Sequence, residues 1–373
     1  MKILQISTEL VHAGAERIVY DLACYLKDQK QIVHVACVKD VRGQVGEWLE
    51  DKQIPVYWVD LNYKKPWRFF INTFRFIRYV KAQKFDLIHA HQFHANVLGR
   101  LARLFGGPKV ISSVHLVEKR FRPWHFLFDS WTAFLCAKEI CVSQAVREFT
   151  AQKAPFMKKK LVVIYNGILF ESRAQEREMT PFRLPESIKK KFIFGSVGRL
   201  TYQKGYPYLI EAFSKLIEKK YEVGLIIIGE GPDRNSLKKM IQDYNLEDSV
   251  YLLGYHKYPD PFYRAMNVFV MPSLFEGFGL VAVEAMHFGL PVIATNVDSL
   301  PEIIRDGVTG YLCPPENAKS LSALMEKLYL NPDKAALIAL EGQRFVHQNF
   351  PLSKMLQEHF ALYQAEIQSD EKR

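Results

Sequence analysis

Short apolar runs, each followed by a helix-like segment, recur along the 373-residue chain in two series, and this alternation constrains its fold more than any other feature. The first series has runs at residues 3–7, 32–38, 56–59, 86–90, 110–114, 139–143 and 161–165, and the second at 192–197, 225–228, 250–253, 268–271 and 292–295. Runs this short and continuously apolar belong to strands buried on both faces. Strands separated by helices pair in parallel, because a crossover long enough to hold a helix returns the chain in its original direction. The expectation is two α/β domains, each a parallel sheet with helices on both faces. Length agrees, since 373 residues exceed one ordinary domain and about two of ~150–200 residues are expected.

Between the series, residues 171–191 are polar and charged and hold two prolines, the composition of an interdomain linker. An N-terminal domain at 1–170 and a C-terminal domain at 192–350 follow, and the segment 351–373 begins as an amphipathic helical pattern and ends in the polar SDEKR. With 49% hydrophobic and 24% charged residues, both domains have the material for full cores. No run of 18 uncharged apolar residues occurs, and the N-terminal MKILQISTEL enters a strand directly, so a cytoplasmic protein is expected. Five cysteines, odd in number and without a CxxC pair, read as reduced core residues. Charge is uneven: residues 1–170 carry 26 Lys+Arg against 14 Asp+Glu, while the remainder carries 24 against 26. An acidic partner is therefore expected on the N-terminal half.

Ligands of doubly wound sheets bind outside the carboxyl ends of the strands, and the polar constellations fall there. After the run 268–271, Pro272 ends the strand. Ser273-Leu274-Phe275-Glu276-Gly277-Phe278-Gly279 then leads into a helical pattern starting near Gly277, with Leu280, Val281, Val283, Ala285 and Met286 apolar, stopped by Gly289-Leu290-Pro291. Such a junction directs backbone N–H groups and the positive end of a helix dipole out of the sheet edge, which suits an anion or a polar ligand. Glu276 precedes this helix and Glu284 lies about two turns into it, so the two carboxylates reach different parts of one long ligand. Glu284, set among Ala282, Val283, Ala285 and Phe288, requires a polar partner. After the run 192–197, Arg199 and Lys204 flank a turn that closes at Gly205; a planar fork and a point charge there make a diphosphate clamp. Gly229-Glu230-Gly231-Pro232 and Gly254-Tyr255-His256 end the next two strands, where their backbone suits a nucleobase.

In the first half, Gly14 opens the helix after the first strand, a turn able to accept a phosphate or a sugar, although the surrounding sequence is not GxGxxG and gives no dinucleotide fingerprint. The histidines of His89-Ala90-His91-Gln92-Phe93-His94 lack a fourth ligand, so no metal site is expected. His115, at the carboxyl end of the fifth strand, is the better functional candidate. Two segments, 64–79 and 119–128, mix cations with aromatics. The first reads either as a core helix with a wet basic face or as a segment for an anionic membrane surface, and the second is expected at such a surface.

In order and spacing, VGRLTYQKG, IIIGEGPDR, SLFEGFGL, the Glu276-x7-Glu284 pair, GLPVIAT and DGVTGYL resemble the retaining nucleotide-sugar glycosyltransferases of family 4, and AGAE, His115 and Tyr165-Asn166-Gly167-Ile168 extend the likeness over nearly the whole chain. That resemblance implies the GT-B fold, two facing Rossmann-like domains with a C-terminal helix crossing back to the first. It implies that Arg199 and Lys204 bind the donor diphosphate and stabilise the charge of the departing nucleoside diphosphate. Glu276 would hold sugar hydroxyls with the N–H groups of Gly277, Phe278 and Gly279, next to Leu280. Glu284 would take the ribose, and Gly229, Gly254 and Tyr255 would complete the donor side. Gly14 would touch the diphosphate and His115 the transferred sugar. The family's Gly-Gly-x-Glu stands here as Ala13-Gly14-Ala15-Glu16.

The same resemblance implies front-face attack within a short-lived ion pair, with the diphosphate as base. No DxD motif is present, in keeping with a metal-independent transferase that needs no cofactor beyond the nucleotide sugar. The N-terminal domain would bind a glycan or lipid-linked acceptor, as in polysaccharide, lipopolysaccharide or glycolipid synthesis, with the protein peripheral on the inner face of the plasma membrane. A GT-B epimerase or phosphorylase would share the fold. A glycosidase has no use for a diphosphate clamp, and nucleic-acid binding by the basic half lacks a fold signature.

Overall fold

The computed structural model describes residues 1–11, 14–39, 43–61, 66–117, 119, 122–170 and 184–371. The chain forms two compact units, one of Met1–Asn166 with Ser353–Arg373 and one of Gly167–Leu352. The first is built on β1 (Lys2–Ser7), β2 (Ile32–Cys37), β3 (Val56–Trp58), β4 (Leu87–His91), β5 (Lys109–Val114), β6 (Lys138–Cys141) and β7 (Leu161–Val163), in spatial order β3-β2-β1-β4-β5-β6-β7. The second is built on β8 (Phe192–Val197), β9 (Val223–Ile228), β10 (Val250–Gly254), β11 (Val268–Met271), β12 (Val292–Thr295) and β13 (Tyr311–Cys313), ordered β10-β9-β8-β11-β12-β13. All neighbours in both sheets run parallel.

This is the Rossmann order, in which the chain starts in the middle and winds outward first to one side and then to the other. The order reverses between β1 and β4 in one sheet and between β8 and β11 in the other, which opens a crevice outside the carboxyl ends of those strands. Strand β9, VGLIII, is buried at every position, as expected of a strand covered on both faces. Helices seal each sheet: Phe76, Val80 and Leu98 pack on Leu4, Ile88 and Val110 in the first unit, and Leu209, Phe213 and Leu237 pack on Phe194, Leu225 and Ile227 in the second. The five cysteines form no disulfide, and all but Cys24 are buried.

Three boundaries differ from the sequence reading. Gly167–Phe170 and Pro351–Leu352 belong to the second unit, because Leu352 N–H donates to Ile168 O at 2.9 Å and Ile168 N–H to Phe350 O at 3.1 Å. Of the expected linker, 171–183 lies outside the described residues, while 184–191 is packed on the second unit through Ile188, 0% exposed, which sits over Gly224 and Ile193. Strand β13 lies in a stretch that the sequence reading left unassigned.

From Ser353 on, the helix Leu352–Glu371 belongs to the first unit. Its Tyr363 is fully buried with its hydroxyl 2.5 Å from His89 Nδ1, Phe360 meets Tyr25 edge-on, and Glu366 O accepts from Lys109 Nζ at 2.8 Å.

Candidate functional site

In the second unit the loop after β8 and the loop after β11 meet at the switch point. The chain leaves β8 through Gly198-Arg199, makes a 3-10 turn at Tyr202–Lys204 and reverses at Gly205, whose φ of 63° is left-handed, before the helix Tyr206–Glu218. A Cβ at position 205 would lie 2.0 Å from Pro272 O, so glycine is what lets this turn lie against the end of β11. Two hydrogen bonds clamp the loops: Leu274 N–H donates to Gln203 O at 2.7 Å, and Gln203 Nε2 to Phe275 O at 3.0 Å.

The clamp brings Lys204 Nζ onto Glu276 Oε1 as an ion pair. Ser273 Oγ donates to the same oxygen at 3.0 Å, and Glu276 is only 6% exposed. Asp298, at the carboxyl end of β12, accepts from the Glu276 N–H at 3.0 Å. Thr295 Oγ1 donates to Ser273 O, and Ser299 Oγ to Phe278 O at 3.0 Å. The loop is thus held from the adjacent strand end, and a carboxylate at its tip is held for a ligand at low cost in ordering. Sequence reasoning missed Ser273, Thr295, Asp298 and Ser299; their place at carboxyl strand ends was the available signal.

Gly277 and Phe278 are buried, and Gly279, at φ 100°, ends the loop. The helix is Leu280–His287 and does not start near Gly277, because a left-handed residue cannot belong to a right-handed helix. Glu284 therefore sits one turn into the helix, not two. The first helical hydrogen bonds run from Ala282 and Val283 N–H to Gly279 O at 2.9 and 3.4 Å, which leaves the Leu280 and Val281 N–H groups at the open end, and no side chain caps it. Glu284 has the polar partner its apolar setting demands: Tyr263 Oη donates to Oε2 at 2.8 Å. Tyr263 is fully buried with its ring stacked on Phe288 at 5.2 Å, and burial with the neighbouring carboxylate raises its hydroxyl pKa far above the ordinary value, which keeps it a donor.

Arg199 is exposed on the turn that carries Lys204. Gly229, just past β9, donates its N–H to Gly254 O at 2.8 Å, and a Cβ there would lie 1.9 Å from Gly198 O. The ends of β8, β9 and β10 are therefore adjacent, and Tyr255 follows Gly254 with its side chain 43% exposed. Arg199, Lys204, Gly229, Gly254, Tyr255, Glu276, Gly277, Phe278, Gly279, Leu280 and Glu284 all lie along this one sheet edge.

Gly14 and His115 belong to the first unit. Gly14 opens the helix Gly14–Asp28 and is exposed; His12 and Ala13 before it lie outside the described residues. Gln92 Nε2 donates to the buried Glu16 at 3.1 Å. His115 belongs to a histidine cluster that sequence reading did not assemble. His115 Nε2 lies 3.0 Å from His91 Nδ1; His89 contacts Ser113 Oγ at 2.7 Å through Nε2; and His359 donates from Nδ1 to Met355 O at 2.8 Å. The His89 and His359 ring centroids are 5.7 Å apart. Burial holds all four neutral, and repulsion from neighbouring histidines adds to it for His89, His91 and His115: His89 and His91 titrate well below the ordinary range, His115 at about 3 and His359 at about 4.

His91 Nε2 and His115 Nδ1 are buried without a hydrogen-bond partner. Since the two rings share one proton, one of these outer atoms is a donor and the other an acceptor whichever tautomer holds. His115 lines a shallow recess with Gln92, Asn96, Phe126 and Thr150. No group of three or more His, Cys, Asp or Glu among the described residues is arranged to hold a metal ion, and no described helix is long and apolar enough to cross a membrane.

Two Rossmann-like parallel sheets, the second carrying a lysine–carboxylate pair and a helix N-terminus at its switch point, define an α/β protein of the nucleotide-binding kind. The model for glycosyl transferases group 1 matches residues 180–344, and that for glycosyltransferase family 4 matches residues 12–171. The chain belongs to this glycosyltransferase family. It is 28% identical over 330 residues to the UDP-Gal:alpha-D-GlcNAc-diphosphoundecaprenol alpha-1,3-galactosyltransferase of Escherichia coli, covering 84% of each chain. It is also 28% identical over 253 residues to the capsular polysaccharide biosynthesis glycosyltransferase CapM of Staphylococcus aureus, covering 66% of each. Among solved structures, Anabaena HepE in complex with UDP-glucose superposes with a TM-score of 0.85 at 24% identity, over 98% of this chain and all of that one, so the two share the GT-B fold.

Proposed function

We propose that this glycosyltransferase moves a sugar, with retention of configuration, from a nucleoside-diphosphate sugar to a glycan or lipid-linked acceptor in the synthesis of a cell-surface polysaccharide, lipopolysaccharide or glycolipid. The observation that carries the reading is the Lys204–Glu276 contact at the switch point of the second sheet. A pyrophosphate oxygen arriving at Lys204 meets an ammonium group fixed by a buried carboxylate, and Arg199 on the same turn adds a second cation. Both act where negative charge grows as the leaving group departs, the electrostatic task that dominates such transfers. Glu276 takes sugar hydroxyls, and Glu284, oriented by Tyr263, takes the ribose. Gly14 meets the diphosphate and His115 the transferred sugar. The acceptor is held by the first unit, whose basic excess suits an acidic or lipid-phosphate-linked molecule, and the enzyme works at the inner face of the plasma membrane.

The E. coli relative and the Anabaena neighbour make UDP-sugars the first donors to test. Thermal stabilisation against a panel of UDP-, GDP- and ADP-sugars is expected to single out one base. The anomeric configuration of the product, read by NMR, is expected to match the donor. With Lys204 held on Glu276 and Arg199 on the same turn to meet the diphosphate, turnover is expected to be undiminished in EDTA. A strict requirement for magnesium or manganese would overturn the metal-independent mechanism.

A further inference from the structure

The first unit leaves aromatic side chains uncovered in a pattern. On the helix Pro66–Gln83, Trp67, Phe70, Ile71 and Phe74 recur at i, i+3, i+4 and i+7 and so line one face, and they are 60, 70, 45 and 62% exposed. The opposite face carries Phe76 and Val80 into the core. This helix is therefore both a core element and an apolar surface, whereas the sequence left these as alternatives. A second stripe runs along the helix Pro123–Trp131 and the 3-10 turn Ala133–Leu135, where Trp124, Leu127, Trp131 and Phe134 are 54, 49, 66 and 73% exposed. The helix Phe93–Leu104 lies between the two stripes. It packs on the helix Pro66–Gln83 on one side and reaches the other stripe's element through Arg100, which donates to Asp129 Oδ1 at 2.9 Å and to Thr132 Oγ1 at 2.7 Å. Single exposed aromatics are ordinary; two neighbouring stripes of them are not.

Charge decides what covers them. Arg68, Arg75 and Arg78 are exposed on the first helix, which contains no acidic residue. Beside the second stripe, Phe156 is 68% exposed with its N–H on Ser130 Oγ, and Lys158 and Lys159 follow it, both exposed. The acidic side chain of the second helix, Asp129, is already paired with Arg100. Lys64, Lys65, Arg120 and Phe121, which the sequence reading placed in the two segments, lie outside the described residues.

We propose that this face docks the protein on an anionic phospholipid bilayer, with the aromatic rings at the boundary between headgroups and acyl chains and the arginine and lysine groups at lipid phosphates. A second copy of the chain is a poorer occupant, because a two-fold contact sets these cations against their own counterparts. Docking also has a use. The helix that presents Trp124 and Leu127 outward presents Phe126 and Asp129 to the recess lined by His115, so an acceptor head group tethered to lipid enters that recess from its own membrane. That use rests on the transfer proposed above; the docking does not.

The test uses the full chain and vesicles of phosphatidylglycerol with phosphatidylcholine, against phosphatidylcholine alone, by co-sedimentation at low salt. Binding is expected to require phosphatidylglycerol and to fall steeply as salt shortens the screening length. The double variant Phe70→Ser/Phe74→Ser is expected to lower partitioning about tenfold or more, as lost apolar burial predicts. Arg75→Gln and Arg78→Gln are expected to lower it about fivefold each, on anionic vesicles alone. All these positions are exposed, and unchanged melting with and without UDP controls for folding and for the donor site. Failure of the parent protein to bind anionic vesicles, or equal binding by the Phe70→Ser/Phe74→Ser variant, overturns the docking. Concentration-dependent dimers abolished by the same substitutions, without lipid binding, assign the face to a second copy instead. A UDP-sugar shift without vesicle binding refutes the docking and keeps the transfer; vesicle binding without any nucleotide-sugar shift does the reverse.

Discussion

Tyr263 and Glu284 stand 21 residues apart in sequence and are joined by a 2.8 Å hydrogen bond in which the phenol donates to Oε2. The carboxylate is thereby oriented before any ligand hydroxyl reaches it. Tyr263→Phe removes this donor while keeping the ring on Phe288. With Glu284 binding the ribose, KM for the donor is expected to rise about tenfold with little change in kcat, the scale of one hydrogen bond to a charged group. Initial rates over a donor titration check it, and a pure kcat loss would count against the ribose role.

Lys204 carries the opposite expectation. If its ammonium stabilises the leaving diphosphate, Lys204→Ala lowers kcat by roughly 10²–10³-fold, well beyond its effect on donor affinity. Single-turnover rates measure this directly. A loss confined to KM would make Lys204 a binding group only.

Gly205→Ala tests the clamp between the two loops. The new Cβ meets Pro272 O at 2.0 Å and adopts a left-handed φ, so a stability loss of about 2–4 kcal/mol is expected. Activity is expected to fall with it, because the turn that moves carries Lys204. Urea unfolding and kcat on the same preparation follow both.

The histidine cluster makes the fold acid-sensitive. His115 and His359 titrate at about 3 and about 4 in the folded chain, against about 6.5 when unfolded. Between these values the unfolded state binds more protons. The stability that neutral imidazoles contribute is therefore complete above pH 6.5 and lost progressively as pH falls toward 4 and 3. Each such histidine contributes a loss of about 2 kcal/mol between pH 6.5 and 5. His359→Leu is expected to flatten the profile of urea midpoint against pH by about that amount, and an unchanged slope would refute the account.

The sequence shows the frame of this molecule more plainly than its fittings. Strands β8, β11 and β12 match their apolar runs residue for residue, because burial on both faces keeps them apolar apart from Ser196 and Thr295. Strand β13 escapes notice because its apolar run, Tyr311–Cys313, is cut off at once by Gly310 and Pro314, whereas the equally short β3 and β7 sit in longer apolar runs. Lys204 and Glu276 are legible as chemistry from their glycine-rich turns, but their contact depends on β8 and β11 being neighbours, a property of strand order. Tyr263 carries no local mark, since it acts on Glu284, 21 positions away. The helix start at Leu280 depends on a backbone angle at Gly279, to which side-chain patterning is blind. The histidine cluster unites strand residues with His359, which arrives from the far end of the chain.

That last contribution bears on how the molecule is made. The interior formed around His89 is closed by His359 and Tyr363, so the first unit is completed only after the whole of Gly167–Leu352 has been translated. The second unit is one continuous stretch, Gly167–Leu352, and has all its parts in hand sooner. A nascent chain stalled shortly before Ser353 is then expected to present a folded second unit tethered to an unfinished first.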